Sequence, residues 1–133
     1  MILIDTHIWI WWVSGSEQLK LSEKRELDKL LEPPCIVAVS LWELSLLFQL
    51  ERISFKIPIF EWLELATNPS LVRILDCTPE IAKELIKLPK AMHRDPADRL
   101  ILATAKANDL VLMTRDKNLD RLCKMNSLRI QNL

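Results

Sequence analysis

The chain has one glycine, Gly15, among 133 residues. A Walker loop and a dinucleotide fingerprint each need several glycines so that backbone can approach phosphate closely. Chemistry on ATP, GTP or NAD by those routes is therefore not expected. Net charge is also missing, because 18 basic and 18 acidic residues cancel. A strong nucleic-acid binder usually carries a basic surplus, so tight static binding to DNA or RNA is not expected. An enzyme that handles phosphates through bound metal and a few local arginines is still compatible with this balance. Low-complexity runs, internal repeats and blocks of like charge are absent, which speaks against disorder. The cysteines, Cys35, Cys77 and Cys123, are odd in number and far apart, with no CxxC or Cys/His spacing for zinc. They read as buried small hydrophobes in a reducing cytoplasm. No basic n-region opens the chain, and the apolar run 8–13 is far shorter than the ~20 residues a membrane span needs. The expectation is an unprocessed cytoplasmic protein.

Half of the residues are apolar, enough for a substantial core, and the length suits a single domain spanning 1–133. Residues 2–5, Ile-Leu-Ile-Asp, read as a buried parallel strand that delivers a carboxylate to its C-terminal edge. A short helix over 7–13 and an amphipathic helix over 19–31 follow. Pro33-Pro34 stops that helix. Residues 35–39 read as a second strand, and Ser40 as the N-cap of a helix over 41–50. Residues 53–57 read as extended, 59–67 as helical and 71–75 as a third strand. Thr78-Pro79-Glu80 is a helix start running to about residue 88. Asp95-Pro96 opens another helix, to about residue 108. A strand over 110–113 ends at Thr114-Arg115-Asp116, a short helix covers 117–123, and 127–130 is a last strand candidate. Short strands alternating with helices imply an α/β fold with helices on both faces of a mostly parallel sheet of four or five strands. In such sheets ligands bind at the carboxyl ends of strands, which places Asp5 and Asp116 at the functional edge.

Four carboxylates stand at strand ends or helix starts: Asp5, Glu43, Asp98 and Asp116. Each also has a structural reading. Asp5 and Asp116 suit helix caps, Ser40-x-x-Glu43 fits a capping box, and Asp95 before Pro96 is a natural cap with Asp98 favoured by the helix dipole. Together, however, four acids at one sheet edge would repel one another unless something positive sat among them. Hard divalent ions such as Mg²⁺ and Mn²⁺ take carboxylate and water oxygens. An ion held so can activate water and neutralise charge on a phosphodiester.

Four segments in order carry a family resemblance: Ile2-Leu-Ile-Asp5-Thr-His-Ile-Trp9, Ser40-Leu-Trp-Glu43, the run from His93 through Asp98 to Ala105, and Thr114-Arg-Asp116. The chain resembles the PIN-domain ribonucleases, in particular the toxin halves of VapBC-type toxin–antitoxin pairs. The resemblance implies a PIN-like three-layer α/β/α fold and Mg²⁺- or Mn²⁺-dependent endoribonuclease activity. It implies that Asp5, Glu43, Asp98 and Asp116 are both the catalytic residues and the metal ligands. Thr6 and Thr114 resemble the hydroxyl residues that support water at the metal, and Asp95 supports the site or only caps. Arg94, Arg99 and Arg115 are the substrate-phosphate candidates, with ion pairing to the same acids as the alternative. Implied partners are an RNA substrate, a cognate antitoxin protein and a second copy in a homodimer, with no membrane. Many relatives carry more basic surface than this neutral chain.

His7 and His93 are the only histidines, and neither has the spacing of a triad or of a metal–histidine site. His7 reads as structural or partner-facing. Of five tryptophans, most read as core and one or two as part of a partner-facing patch. Two other functions compete. A haloacid-dehalogenase-like phosphatase also ends its first strand in Asp, but it needs a second Asp where this chain has His7. A catalytically inactive PIN-like binding or scaffold domain would use the acids as caps and the tryptophans as an interface.

Overall fold

The computed structural model describes residues 1–90, 95–125 and 130–132. Five strands form one sheet: β1 (Ile2–Ile4), β2 (Cys35–Val37), β3 (Arg73–Leu75), β4 (Val111–Thr114) and β5 (Ile130–Asn132). Their order is β3-β2-β1-β4-β5 and every pairing is parallel. Leu3 lies opposite Cys35 on one side and Leu112 on the other. Strand order therefore reverses at β1, and the crevice between the carboxyl ends of β1 and β4 is the switch point where such sheets bind ligands.

Period-two alternation sorts the strand side chains onto two faces. Leu3, Cys35, Val37 and Leu112 pack with α5 (Pro79–Lys87), α6 (Pro96–Ala107) and α7 (Lys117–Met125). Ile4, Ile36 and Met113 pack with α1 (Thr6–Ser14), α2 (Leu21–Asp28), α3 (Val39–Gln49) and α4 (Ile59–Ala66). The result is the three-layer α/β/α arrangement anticipated above. No helix among the described residues is long and apolar enough to cross a membrane.

Trp9, Trp12 and Trp62 are buried in the α1–α4 layer, and each indole N–H finds an acceptor: the Ala66 carbonyl at 3.0 Å, Asp28 at 2.9 Å and Ser14 at 3.1 Å. Those bonds remove the cost of burying a polar N–H. The single glycine has one use. Gly15 closes α1 in the left-handed conformation, φ 63°, a position that favours a residue without Cβ. The turns after α3 and α6 need the same conformation and make do with Glu51 and Asp109, φ 57° and 51°.

Several boundaries differ from the sequence reading. The amphipathic helix is shorter, 21–28, and β3 begins at Arg73. Residues 53–57 form no strand. Ile53 and Phe55 instead pack on the α1–α4 layer, with the Phe55 ring 4.3 Å from that of Trp62. The last strand is 130–132, and residues 127–129 lie outside the described residues. Ser40 is not an N-cap: α3 begins at Val39 after Ala38, without a side-chain cap. Cys35 and Cys123 are buried as expected, whereas Cys77 is exposed. Burial raises both buried thiols, that of Cys123 to about 12, so they behave as packing groups.

Candidate active site

The local rules that start three helices also gather acids at the switch point. Asp5 ends β1 and N-caps α1, accepting from the Ile8 N–H at 2.9 Å. Asp95 caps α6, accepting from the Ala97 N–H at 2.9 Å, and puts Asp98 in that helix's first turn. Asp116 follows β4 and accepts from the Asn118 N–H at 2.8 Å. These acids cap helices and also converge. Asp5, Thr6, His7, Glu43, Asp95, Asp98 and Asp116 line one small cavity of about 80 Å³, walled by Ile101 and Leu119.

Glu43 reaches this cavity for a reason the capping-box reading missed. Its carboxylate accepts the Thr6 hydroxyl, and the Ser40 hydroxyl lies 2.8 Å from the same Thr6 oxygen. Thr6 has one hydroxyl proton, which goes to Glu43, so Ser40 donates to Thr6. A matching relay runs on the other side. The Asp116 N–H donates to Thr114 Oγ1 at 3.0 Å, and Thr114 donates to Asp5 Oδ2. Thr6, Ser40 and Thr114 are all buried, so each hydroxyl is held in place beside the carboxylate it serves.

Burial dominates the electrostatics. Asp5 and Asp98 are only 6% and 8% exposed. Burial pushes the Asp5 carboxyl above its ordinary value; Thr114, the Ile8 N–H and the His7 charge oppose this, and Asp116 adds to it. Burial likewise raises Glu43, with Thr6 and His7 opposing and Asp95 and Asp5 adding. The acids thus destabilise one another's charged forms, as expected of a cluster short of positive charge.

The donor set fits a hard divalent cation in its chemistry. Apart from the His7 imidazole it is carboxylate and hydroxyl oxygen, and among the described residues no lysine or arginine lines the cavity. As the side chains stand, however, no three His, Cys, Asp or Glu among the described residues close on a single ion.

The arginines do not share one position. Arg94 and His93 lie outside the described residues. Arg99 donates to the Pro89 carbonyl at 3.5 Å. Arg115 pairs with Glu23 of α2, donates to the Gln18 carbonyl, and holds its guanidinium 5.2 Å from the Trp11 ring centre. Its alternative reading was pairing with the site acids, and its ion pair is with Glu23 instead. Nothing in the local pattern of 21–28 marks Glu23 for this contact, which tertiary folding creates. His7, read as structural or partner-facing, is exposed on the cavity rim.

Residues 2–125 match the PIN domain family. Ribonuclease VapC22 of Mycobacterium tuberculosis is 34% identical over 118 residues, covering 89% of this chain and 88% of that protein. Among solved structures, VapBC2 from Rickettsia felis bound to a DNA fragment from their promoter superposes with TM-score 0.71 at 18% identity, covering 99% of this chain and 98% of that one. FitAcB from Neisseria gonorrhoeae gives TM-score 0.71 at 23% identity, covering 99% and 97%. At those identities the structural matches establish the fold.

Proposed function

The chain belongs to the PIN domain family, and from that premise we propose that it is a metal-dependent endoribonuclease that serves as the toxin of a toxin–antitoxin pair. The observation that carries this reading is the convergence of Asp5, Glu43, Asp95, Asp98 and Asp116 on one cavity at the switch point. Asp5, Glu43, Asp98 and Asp116 would hold Mg²⁺ or Mn²⁺, directly or through water. When bound, the ion supplies an acidified water and neutralises charge developing on the phosphodiester.

The chain's own residues do the rest. Thr114 and Thr6 hold the Asp5 and Glu43 carboxylates in fixed orientations. The Asp95 cap fixes the first turn of α6 and so the position of Asp98. Ile101 and Leu119 put apolar side chains against the acids, and a low-dielectric wall strengthens charge interactions beside it. Arg94 and Arg99, one before and one after Asp98, are the candidates for gripping substrate phosphates.

The ribonuclease name of the 34% identical relative supports RNA as substrate. Trp42, Leu46 and Phe48 of α3 and Phe60 of α4 are exposed, and a cognate antitoxin that covers them would remove apolar surface from water. A homodimer in the cytoplasm completes the reading. The test is cleavage of RNA with Mn²⁺ present. EDTA abolishes it, and Asp98→Asn lowers it about 100-fold or more, the scale of losing one electrostatic contact in the transition state. EDTA-resistant cleavage, or a fully active Asp98→Asn protein, overturns the mechanism.

A further inference from the structure

Beside the acidic cavity lies a second, wider groove of about 330 Å³. The two share Asp5, His7 and Asp116, and the groove's other walls are Ile8, Trp11 and Arg115. We propose that this groove is a nucleobase subsite, which seats a base of the RNA next to the phosphate at the acids. The proposal rests on the nuclease reading above.

The walls suit a flat, apolar-faced ligand. The His7 and Trp11 rings lie 5.6 Å apart at 52°, so together they form an angled wall rather than a closed sandwich. Bases stack on such rings and on guanidinium planes. Arg115 is unsuited to clamping a phosphate, because its terminal nitrogens already donate to Gln18 and Glu23. What it still offers is a flat cationic face and a fixed position over Trp11. The Glu23 and Gln18 contacts hold that face before any ligand arrives, which limits the ordering cost of binding. Asp5 and Asp116 line both the groove and the acidic cavity, so a base seated in the groove lies next to a phosphate at the acids. A protein partner suits this groove less well, since the exposed aromatic side chains Trp42, Phe48 and Phe60 of α3 and α4 are not among its walls.

The experiment is a cycle between protein and substrate. One RNA carries its full set of bases, and matched RNAs carry a single abasic position on either side of the cut. With the unmodified protein, one abasic position lowers kcat/KM about tenfold, the scale of one lost base stack. Trp11→Ala lowers cleavage of the intact RNA by a similar factor and leaves that abasic RNA no worse than before. Trp11→Phe restores most of the loss. Trp11→Leu keeps apolar bulk without a stacking ring, so it keeps the proposal testable if Trp11→Ala fails to fold. Equal losses on intact and abasic RNA would show a structural role and overturn the subsite. So would unchanged RNA cleavage accompanied by a weakened antitoxin complex, which would make the groove a protein contact. If the unmodified protein cuts no RNA, the nuclease reading fails by itself. The same cycle read as anisotropy of labelled RNA then decides the groove, through the presence or absence of a base-dependent loss.

Discussion

Ile4 and Asp5 are neighbours in the chain and both are buried, yet they belong to regions with opposite energetics. Ile4 joins a layer in which every added contact stabilises the fold, and the tryptophans there satisfy their own N–H groups. Asp5 joins an edge where burial and neighbouring carboxylates work against the charged form. The two regions touch through α1, whose first residue, Thr6, serves Glu43 and whose fourth, Trp9, fills the core. The first layer sets whether the chain folds. The second holds electrostatic strain that a cation would relieve.

The largest expected effect breaks the first region. Trp9 is fully buried, lies 5.4 Å from the Trp62 ring and donates to Ala66. Trp9→Ala should cost about 3–5 kcal/mol, the range for emptying a large aromatic site. Urea unfolding measures this, and a loss below about 1 kcal/mol would mean that the layer collapses around the gap.

A smaller effect tests the seam between the regions. Thr114→Val preserves shape but removes the donor to Asp5 and the acceptor for the Asp116 N–H. It should cost about 1–3 kcal/mol, the scale of leaving buried polar groups unsatisfied. It should also weaken Mn²⁺ binding by roughly 10- to 100-fold, the usual price of disturbing residues that orient ligands. Titration with Mn²⁺ separates the two outcomes. Lost stability with unchanged affinity would confine Thr114 to the fold.

The same contrast explains what could be read from sequence. The strands and most helices were legible because period-two runs such as 2–5 and starts such as Thr78-Pro79 act locally, and Thr78 does cap α5. Asp5, Asp98 and Asp116 were legible as an edge cluster because topology alone brings strand ends and helix starts together. The bond that holds Glu43 was not, since the Ser40–Thr6–Glu43 relay joins residues 34 and 37 positions apart, and the local pattern suggested a capping box. The Glu23–Arg115 pair spans 92 positions and leaves no sequence signal. Residues 53–57 join no strand, because Ile53 and Phe55 pack on helices, where strand-like alternation is not required.

The smallest expected effect concerns pH, and it bears on the edge alone. Asp5 and Glu43 both have folded pKa values raised, chiefly by burial, over unfolded values of about 4. Between the unfolded and folded values the folded state binds more protons than the unfolded state. Stability therefore falls as pH rises through that window, by linkage. Below the window both states are protonated and the penalty vanishes; above it the full penalty applies. Metal-free protein should accordingly unfold at a lower temperature near neutral pH than at mildly acidic pH, as far as these two groups decide it. Asp5→Asn and Glu43→Gln remove the titrating protons, so subtracting their pH profiles from that of the unmodified protein isolates the contribution. Mn²⁺ should close the gap at neutral pH, because an ion that binds only the folded, deprotonated form stabilises it by mass action. Thermal unfolding in EDTA and in Mn²⁺ measures all of these. A pH slope unchanged by either substitution would mean that the acidic edge is as relaxed as the layer beneath it, and the contrast between Ile4 and Asp5 would fail.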